Sequence, residues 1–219
     1  MSENNKFWSY FNSIVSPQLG LREKTFRKIF SHLDKIDGPI NIVETGCARQ
    51  EGNWSGDGQS TVVFDKYINF RDNISQLFSV DINPTSINEC KRITSNRTSL
   101  TCEDSVHYLS SLAAVFEKEK QFISLLYLDS FDLDNNYWFE SSAHHLKELT
   151  SVMRCINKQT LVVVDDCPLQ GNFIPKGNGE ISLITNPIIG GKGRLIAEYA
   201  LSVHAKLEFA EYQAGWTGF

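Results

Sequence analysis

Two apolar runs in this chain end in aspartate: Leu125-Leu126-Tyr127-Leu128-Asp129 and Leu161-Val162-Val163-Val164-Asp165-Asp166. Runs this short and this apolar read as buried strands. In an open parallel sheet, ligands bind outside the carboxyl ends of the strands, so Asp129, Asp165 and Asp166 stand where chemistry is done. Crowded carboxylates repel one another unless a cation neutralises them. The pattern therefore predicts a hard divalent metal, Mg²⁺ or else Mn²⁺ or Ca²⁺, on these three residues beside a small-molecule cofactor. The competing reading of Asp165-Asp166 is a strand-end turn with exposed acids.

The elements that position these acids follow from periodicity. Phe26, Ile29, Phe30, Leu33 and Ile36 recur at helical spacing before Gly38-Pro39, which predicts a helix over 21–37. A strand over 40–43 runs into Glu44-Thr45-Gly46-Cys47, followed by a polar glycine-rich stretch, 49–58, and a helix from Ser60 with that hydroxyl as its N-cap. Next come strand 77–80 ending at Asp81, a helix over 86–95, and strand 99–102 ending near Asp104-Ser105. A helix face of Val106, Leu109, Leu112 and Phe116 leads to strand 123–128. A helix carrying Phe139, Ala143, Leu146, Leu149, Met153 and Ile156 then leads to strand 161–164.

The stretch 167–193 is too long for an ordinary connection and reads, with 49–58, as a lid over the site. A helix over 195–204, a strand over 207–212 and a short antiparallel strand over 215–219 complete the chain. Alternation of this kind predicts an α/β fold, a doubly wound, mostly parallel, seven-stranded sheet with helices on both faces. Residues 1–39 would form a helical cap and 40–219 the body of a single domain.

Composition sets the class of partner. A net charge of -5 without a long basic run argues against nucleic acid or an anionic membrane as the main partner and favours a small polar substrate. Five cysteines with no C-x-x-C spacing indicate neither a disulfide framework nor a zinc site. No basic-then-apolar leader and no bilayer-length apolar run are present, so a cytoplasmic location is expected. A homo-oligomer stays open.

At the other strand ends, Gly46 would let backbone pass close to a cofactor, with Glu44, Cys47 and Ser60 around it, or would simply make a turn. Asp81 would accept hydrogen bonds from ribose hydroxyls or serve as a helix cap. Asp104 and Ser105 would bind an adenine amine, cap the next helix, or do both. With Glu44-x-Gly46 after strand one, Asp81 after strand two, Asp104-Ser105 after strand three and Asp129 after strand four, the chain from about residue 40 onward resembles the class I S-adenosylmethionine-dependent methyltransferases. Asp129 with Asp165-Asp166 is similar to the metal triad of the catechol and macrocin O-methyltransferase families. The resemblance implies a metal-assisted O-methyltransferase using S-adenosylmethionine on a small hydroxylated molecule such as a sugar or an aromatic diol.

The sequence departs from those families in two places. The glycine-rich turn is enlarged by RQEGNWSGDG, so its contacts do not carry over residue by residue. The position three after Asp129, which there holds a Lys or His base, is Asp132. Asp132 and Asp134 are the candidate bases. His144 and His145 follow, and because adjacent helical residues point about 100° apart at most one faces the site; His145 is carried as the third catalytic candidate. Lys176, Lys192 and Arg194 read either as solvated loop charges or as anion contacts for the substrate. A nucleotide-linked oxidoreductase would suit the fold but lacks G-x-G-x-x-G after strand one, and a non-catalytic cofactor-binding module would leave the three acids unexplained.

Overall fold

In the computed structural model, residues 3–56, 59–71, 74–134 and 136–219 are described; Asp57 and Gly58 of the expected 49–58 lid lie outside them. Successive strand residues point to opposite faces, and here both faces are apolar. On β1 (Asn41–Thr45), Ile42 joins one cluster with Tyr127 and Val163, while Val43 joins a second with Leu126, Val162 and Val164. The first cluster is roofed by α2 (Glu23–Leu33) and α3 (Ser60–Asn69). The second is roofed by α5 (Ser105–Glu119), α6 (Trp138–Val152) and α7 (Arg194–Ser202). Buried on both sides, the strands read as continuous apolar runs, which is why they were legible.

The remaining strands are β2 (Gln76–Asp81), β3 (Thr98–Cys102), β4 (Leu125–Leu128), β5 (Leu161–Val164), β10 (Lys206–Ala210) and β11 (Ala214–Thr217), with α4 (Pro84–Ile93) between β2 and β3. They form a seven-stranded sheet in the order β10-β11-β5-β4-β1-β2-β3, parallel except for β11, which runs antiparallel to both its neighbours. This is the doubly wound, Rossmann-like arrangement. The chain winds outward from β1 to β3, then crosses to β4 and β5, so the crevice opens between β1 and β4. Thr45 pairs with Leu128, and Leu128 with Val164, which sets Gly46, Asp129 and Asp165 side by side.

The helix expected over 21–37 is the shorter α2, and ahead of it α1 (Glu3–Tyr10), a π-helical turn (Phe11–Val15) and 3-10 turns at Ser16–Gln18 and Gly20–Arg22 make up the rest of the helical segment expected at the N-terminus. Its aromatic side chains dock it: Phe7 packs 4.7 Å from both Phe30 and Tyr67, and Phe26 lies 5.6 Å from Phe64, inside the first cluster. The short antiparallel strand expected over 215–219 is β11, fully buried and inserted between β5 and β10.

The stretch 167–193 is also more regular than expected. Strand β6 (Leu169–Gln170) pairs with β9 (Ile188–Ile189), and β7 (Phe173–Pro175) with β8 (Ile181–Leu183), so it folds back on itself as antiparallel ribbons. It returns to the sheet through a 3-10 turn at Gly191–Gly193. Among the described residues no helix is long and apolar enough to cross a membrane.

Candidate active site

Two cavities of about 230 and 370 Å³ open at the carboxyl edge of the sheet and share Gly46, Asp81 and Ser130. The larger is lined by Val80, Ile82 and Phe131, with Asp104, Ser105 and His144 as its polar groups. The smaller is polar, with Arg22, Arg49, Asp129, Asp166 and Lys192 among its walls. Asp81 stands between them and is held from both sides, accepting from the Cys47 amide at 3.2 Å and the Asn83 amide at 2.7 Å. Each of its oxygens keeps acceptor capacity for a ligand hydroxyl.

Gly46 is left-handed, at φ +78, and an added Cβ would lie 2.5 Å from the Asp129 carbonyl oxygen. Its missing side chain thus admits the end of β4, and in doing so brings Asp129 to the crevice. Cys47 is buried against Cys90, whose thiol hydrogen bond, together with burial, raises the Cys47 thiol and keeps it protonated. Glu44 is fully buried below the crevice, where the Ser60 hydroxyl donates to it at 2.6 Å and the Ser79 hydroxyl at 2.8 Å. Burial outweighs these donors and pushes the Glu44 carboxyl up to about 7. Ser60 therefore does not cap α3; the residue before it, Gln59, occupies that position.

The three aspartates come together, but with protein cations among them. Lys192, 1% exposed, places its ammonium against Asp129 Oδ1 and 3.0 Å from Asp166 Oδ2. Arg22 Nε donates to Asp165 Oδ2 at 2.8 Å, and its guanidinium lies 3.6 Å from Asp166 and over the Tyr212 ring at 4.7 Å. The Tyr212 hydroxyl donates to Asp166 Oδ1. Burial works against the charge on Lys192, yet Asp129 and Asp166 hold its pKa above the ordinary lysine value. Burial likewise opposes ionisation of Asp166, but Lys192 and Tyr212 prevail and lower it. At Asp129 burial wins: the carboxyl rises well above its usual range, with Lys192 pulling down and Asp165 and Asp166 pushing further up. Three acids thus face one ammonium and one guanidinium.

This corrects the metal expectation for Asp129, Asp165 and Asp166. The premise that the acids need a cation holds, but Lys192 already sits on the oxygens a divalent ion would take, and Arg22 holds the third carboxylate. The donor set as folded does not fit Mg²⁺, Mn²⁺ or Ca²⁺, and among the described residues no other group of His, Cys, Asp and Glu gathers as a metal site.

The expected bases move too. Asp132 is an exposed rim residue paired with Arg49 at 2.6 Å. Asp134, also at the surface, accepts from the Asn136 amide of its own turn at 2.7 Å. His145 is 0% exposed, with its Nδ1 on the Ser141 carbonyl at 2.7 Å, and burial lowers it to about 4, so it is a neutral core residue. Its neighbour His144 is the one facing the cavity, 3.0 Å from Ser105 Oγ and 3.3 Å from Glu148. Asp104 caps α5 by accepting from the His107 amide at 3.0 Å while lining the apolar cavity, so both of its roles remain open to it.

Nothing in the sequence singles out Arg22 or Tyr212, and Lys192 reads there either as a solvated loop charge or as an anion contact for the substrate, not as a partner of the three aspartates. For Lys192 a signal existed in Gly190-Gly191-Lys192-Gly193. Gly191 is left-handed at φ +56, and an added Cβ would run into the Asp166 carbonyl oxygen, so only glycine lets this backbone press onto the end of β5. The Lys192 amide then donates to the same carbonyl at 3.2 Å and the side chain enters the cluster. For Arg22 no local signal exists.

No family model matches the chain, and no curated protein matches it. Among solved structures, it is similar to the MycE methyltransferase of mycinamycin biosynthesis in complex with Mg and SAH, at 14% identity and TM-score 0.45 over 68% of this chain; it spans only 37% of the length of MycE. It is similar to the N-methyltransferase NodS from Bradyrhizobium japonicum WM9 at 10% identity and TM-score 0.49, covering 91% of this chain and 97% of that one. It is also similar to an S-adenosylmethionine-dependent methyltransferase from Clostridium acetobutylicum ATCC 824 at 12% identity and TM-score 0.48, covering 97% of each chain. At these identities and scores the chemistry has to come from this chain's own residues.

Proposed function

We propose that this chain is an S-adenosylmethionine-dependent methyltransferase acting on an oxygen of a small hydroxylated acceptor. The observation that carries the reading is the pair of cavities joined at Asp81, Gly46 and Ser130. An apolar slot between Ile82 and Phe131 with a few polar groups suits a purine, Asp81 at the junction suits ribose hydroxyls, and a polar chamber beyond suits the amino-acid moiety and the acceptor. When bound, the sulfonium supplies an activated methyl group; the acceptor oxygen gains the methyl and loses its proton, leaving S-adenosylhomocysteine.

The chain's residues orient and deprotonate. Holding two reactants in line contributes on the order of 7–11 kcal/mol in favourable cases, so position matters more here than acid strength. Asp129 is the preferred proton acceptor, because it lines the polar chamber at the end of β4 with the Lys192 ammonium beside it, and burial raises its affinity for a proton. Asp132 and Asp134, paired at the rim or in their own turn, do not take this role.

Calorimetry with S-adenosylmethionine and with S-adenosylhomocysteine tests the reading. Binding of either, weakened by Asp81→Ala, is expected. Absence of heat and of any rise in Tm at millimolar ligand would remove it.

A further inference from the structure

We infer that Lys192 is a built-in replacement for a divalent cation: its ammonium organises the acids at the β4 and β5 ends, and the site takes no metal while it is there. Four observations converge. The ammonium bridges Asp129 Oδ1 and Asp166 Oδ2 at the carboxyl ends of the neighbouring strands β4 and β5, the positions a bridging ion would hold. The residue is 1% exposed, which no solvated loop lysine is. Its backbone is fixed to the Asp166 carbonyl by a turn that only glycine at 191 permits. Arg22 occupies Asp165, so no carboxylate of the triad remains without a positive partner. A second cation of charge two, set beside an ammonium and a guanidinium, would meet repulsion from both.

The acceptor is constrained in turn, a consequence that rests on the proposed methyl transfer. A metal with open positions grips two neighbouring oxygens at once. An ammonium has three donors, and two of Lys192's are spent on Asp129 and Asp166. One N–H is left for one oxygen. The favoured acceptor therefore presents a single hydroxyl, not a chelating diol, and its methylation is indifferent to chelator.

Mn²⁺ titration followed by electron paramagnetic resonance tests the inference on the full chain without any acceptor. Wild type and Lys192→Arg should leave Mn²⁺ free into the millimolar range, while Lys192→Ala, freed of its ammonium, should bind at least about tenfold tighter. Wild-type binding well below millimolar that Asp129→Asn abolishes would overturn the inference, whether or not the alanine variant folds. So would a Lys192→Ala protein with wild-type circular dichroism and no gain in Mn²⁺ affinity. Any acceptor whose methylation requires added Mg²⁺ would overturn the single-oxygen consequence. Calorimetry with S-adenosylmethionine decides the methyltransferase reading separately, because none of the Mn²⁺ titrations depends on it.

Discussion

The two halves of the sheet's carboxyl edge treat their acids in opposite ways. At the ends of β1, β2 and β3, neutral donors hold them: hydroxyls of Ser60 and Ser79 on Glu44, backbone amides on Asp81 and Asp104. At the ends of β4 and β5, the acids are met by Lys192 and Arg22. The difference tracks what each half can do. Backbone and hydroxyl donors leave lone pairs for a ligand's own hydroxyls, as a recognition site requires. Fixed cations hold a concentration of charge ready beside a reacting oxygen, and Lys192 pulls down an Asp129 carboxyl that burial raises.

The contrast breaks most visibly at Lys192. Lys192→Met removes the ammonium from between two acids without removing the acids, and stranding buried charge of that kind costs about 3–5 kcal/mol. Urea denaturation should show a loss of that size, partly restored by added Mn²⁺. A loss near zero would mean the cluster is solvated and the ion pairs are incidental.

Glu44 sharpens the other side through pH. Its carboxyl is raised to about 7 from the ordinary 4.5, so between these values the native state binds more protons than the unfolded chain, and its contribution to stability falls as pH rises through that window. The shift corresponds to about 3 kcal/mol. His145, lowered to about 4 by burial, acts with the opposite sign, its contribution being lost as pH falls from 6.5 toward 4, so the wild-type curve alone would mask both. The measurement is therefore a difference: stability of wild type minus Glu44→Gln, which should fall by about 3 kcal/mol from pH 4.5 to above 7. A flat difference would show that the hydroxyl donors keep Glu44 ionised throughout.

How much of this was legible depended on whether the determinant was local. Strands buried on both faces announce themselves as apolar runs, and their terminal acids come with them, so the sheet, Asp81 and the Asp129, Asp165 and Asp166 trio were readable. The partner of an acid was not. Lys192 is brought in from a stretch whose ribbons are only two or three residues long per strand, too short for periodicity to register. Arg22 reaches Asp165 across 143 residues of sequence because an aromatic cluster docks the N-terminal helices, a tertiary cause invisible at residue 22. The choice between His144 and His145 failed for a related reason: the helix phase relative to the sheet is set by packing.

Asp81 tests whether the neutral-donor half is a recognition site. Asp81→Ala should weaken S-adenosylmethionine by about 1–3 kcal/mol, roughly five- to 150-fold, with the acid half's response to Mn²⁺ unchanged. Equal binding by the variant would leave the two cavities as separate features rather than one ligand's path.

Asp104 gives the smallest effect and separates a cap from a contact. Its carboxylate accepts the His107 amide at the first turn of α5, and removing such a cap costs about 1 kcal/mol whatever the ligand does. Asp104→Asn keeps an oxygen for the amide and so keeps most of the cap, but exchanges a charged acceptor facing the apolar cavity for a neutral amide that also donates. If Asp104 only caps, Asp104→Ala should lower stability while Asp104→Asn changes neither stability nor S-adenosylmethionine affinity. If it also meets the adenine amine, Asp104→Asn should lose severalfold in affinity at nearly unchanged Tm. Calorimetry and melting on the two variants together distinguish the cases, and the second result would extend the neutral-donor half from Glu44 and Asp81 to the end of β3.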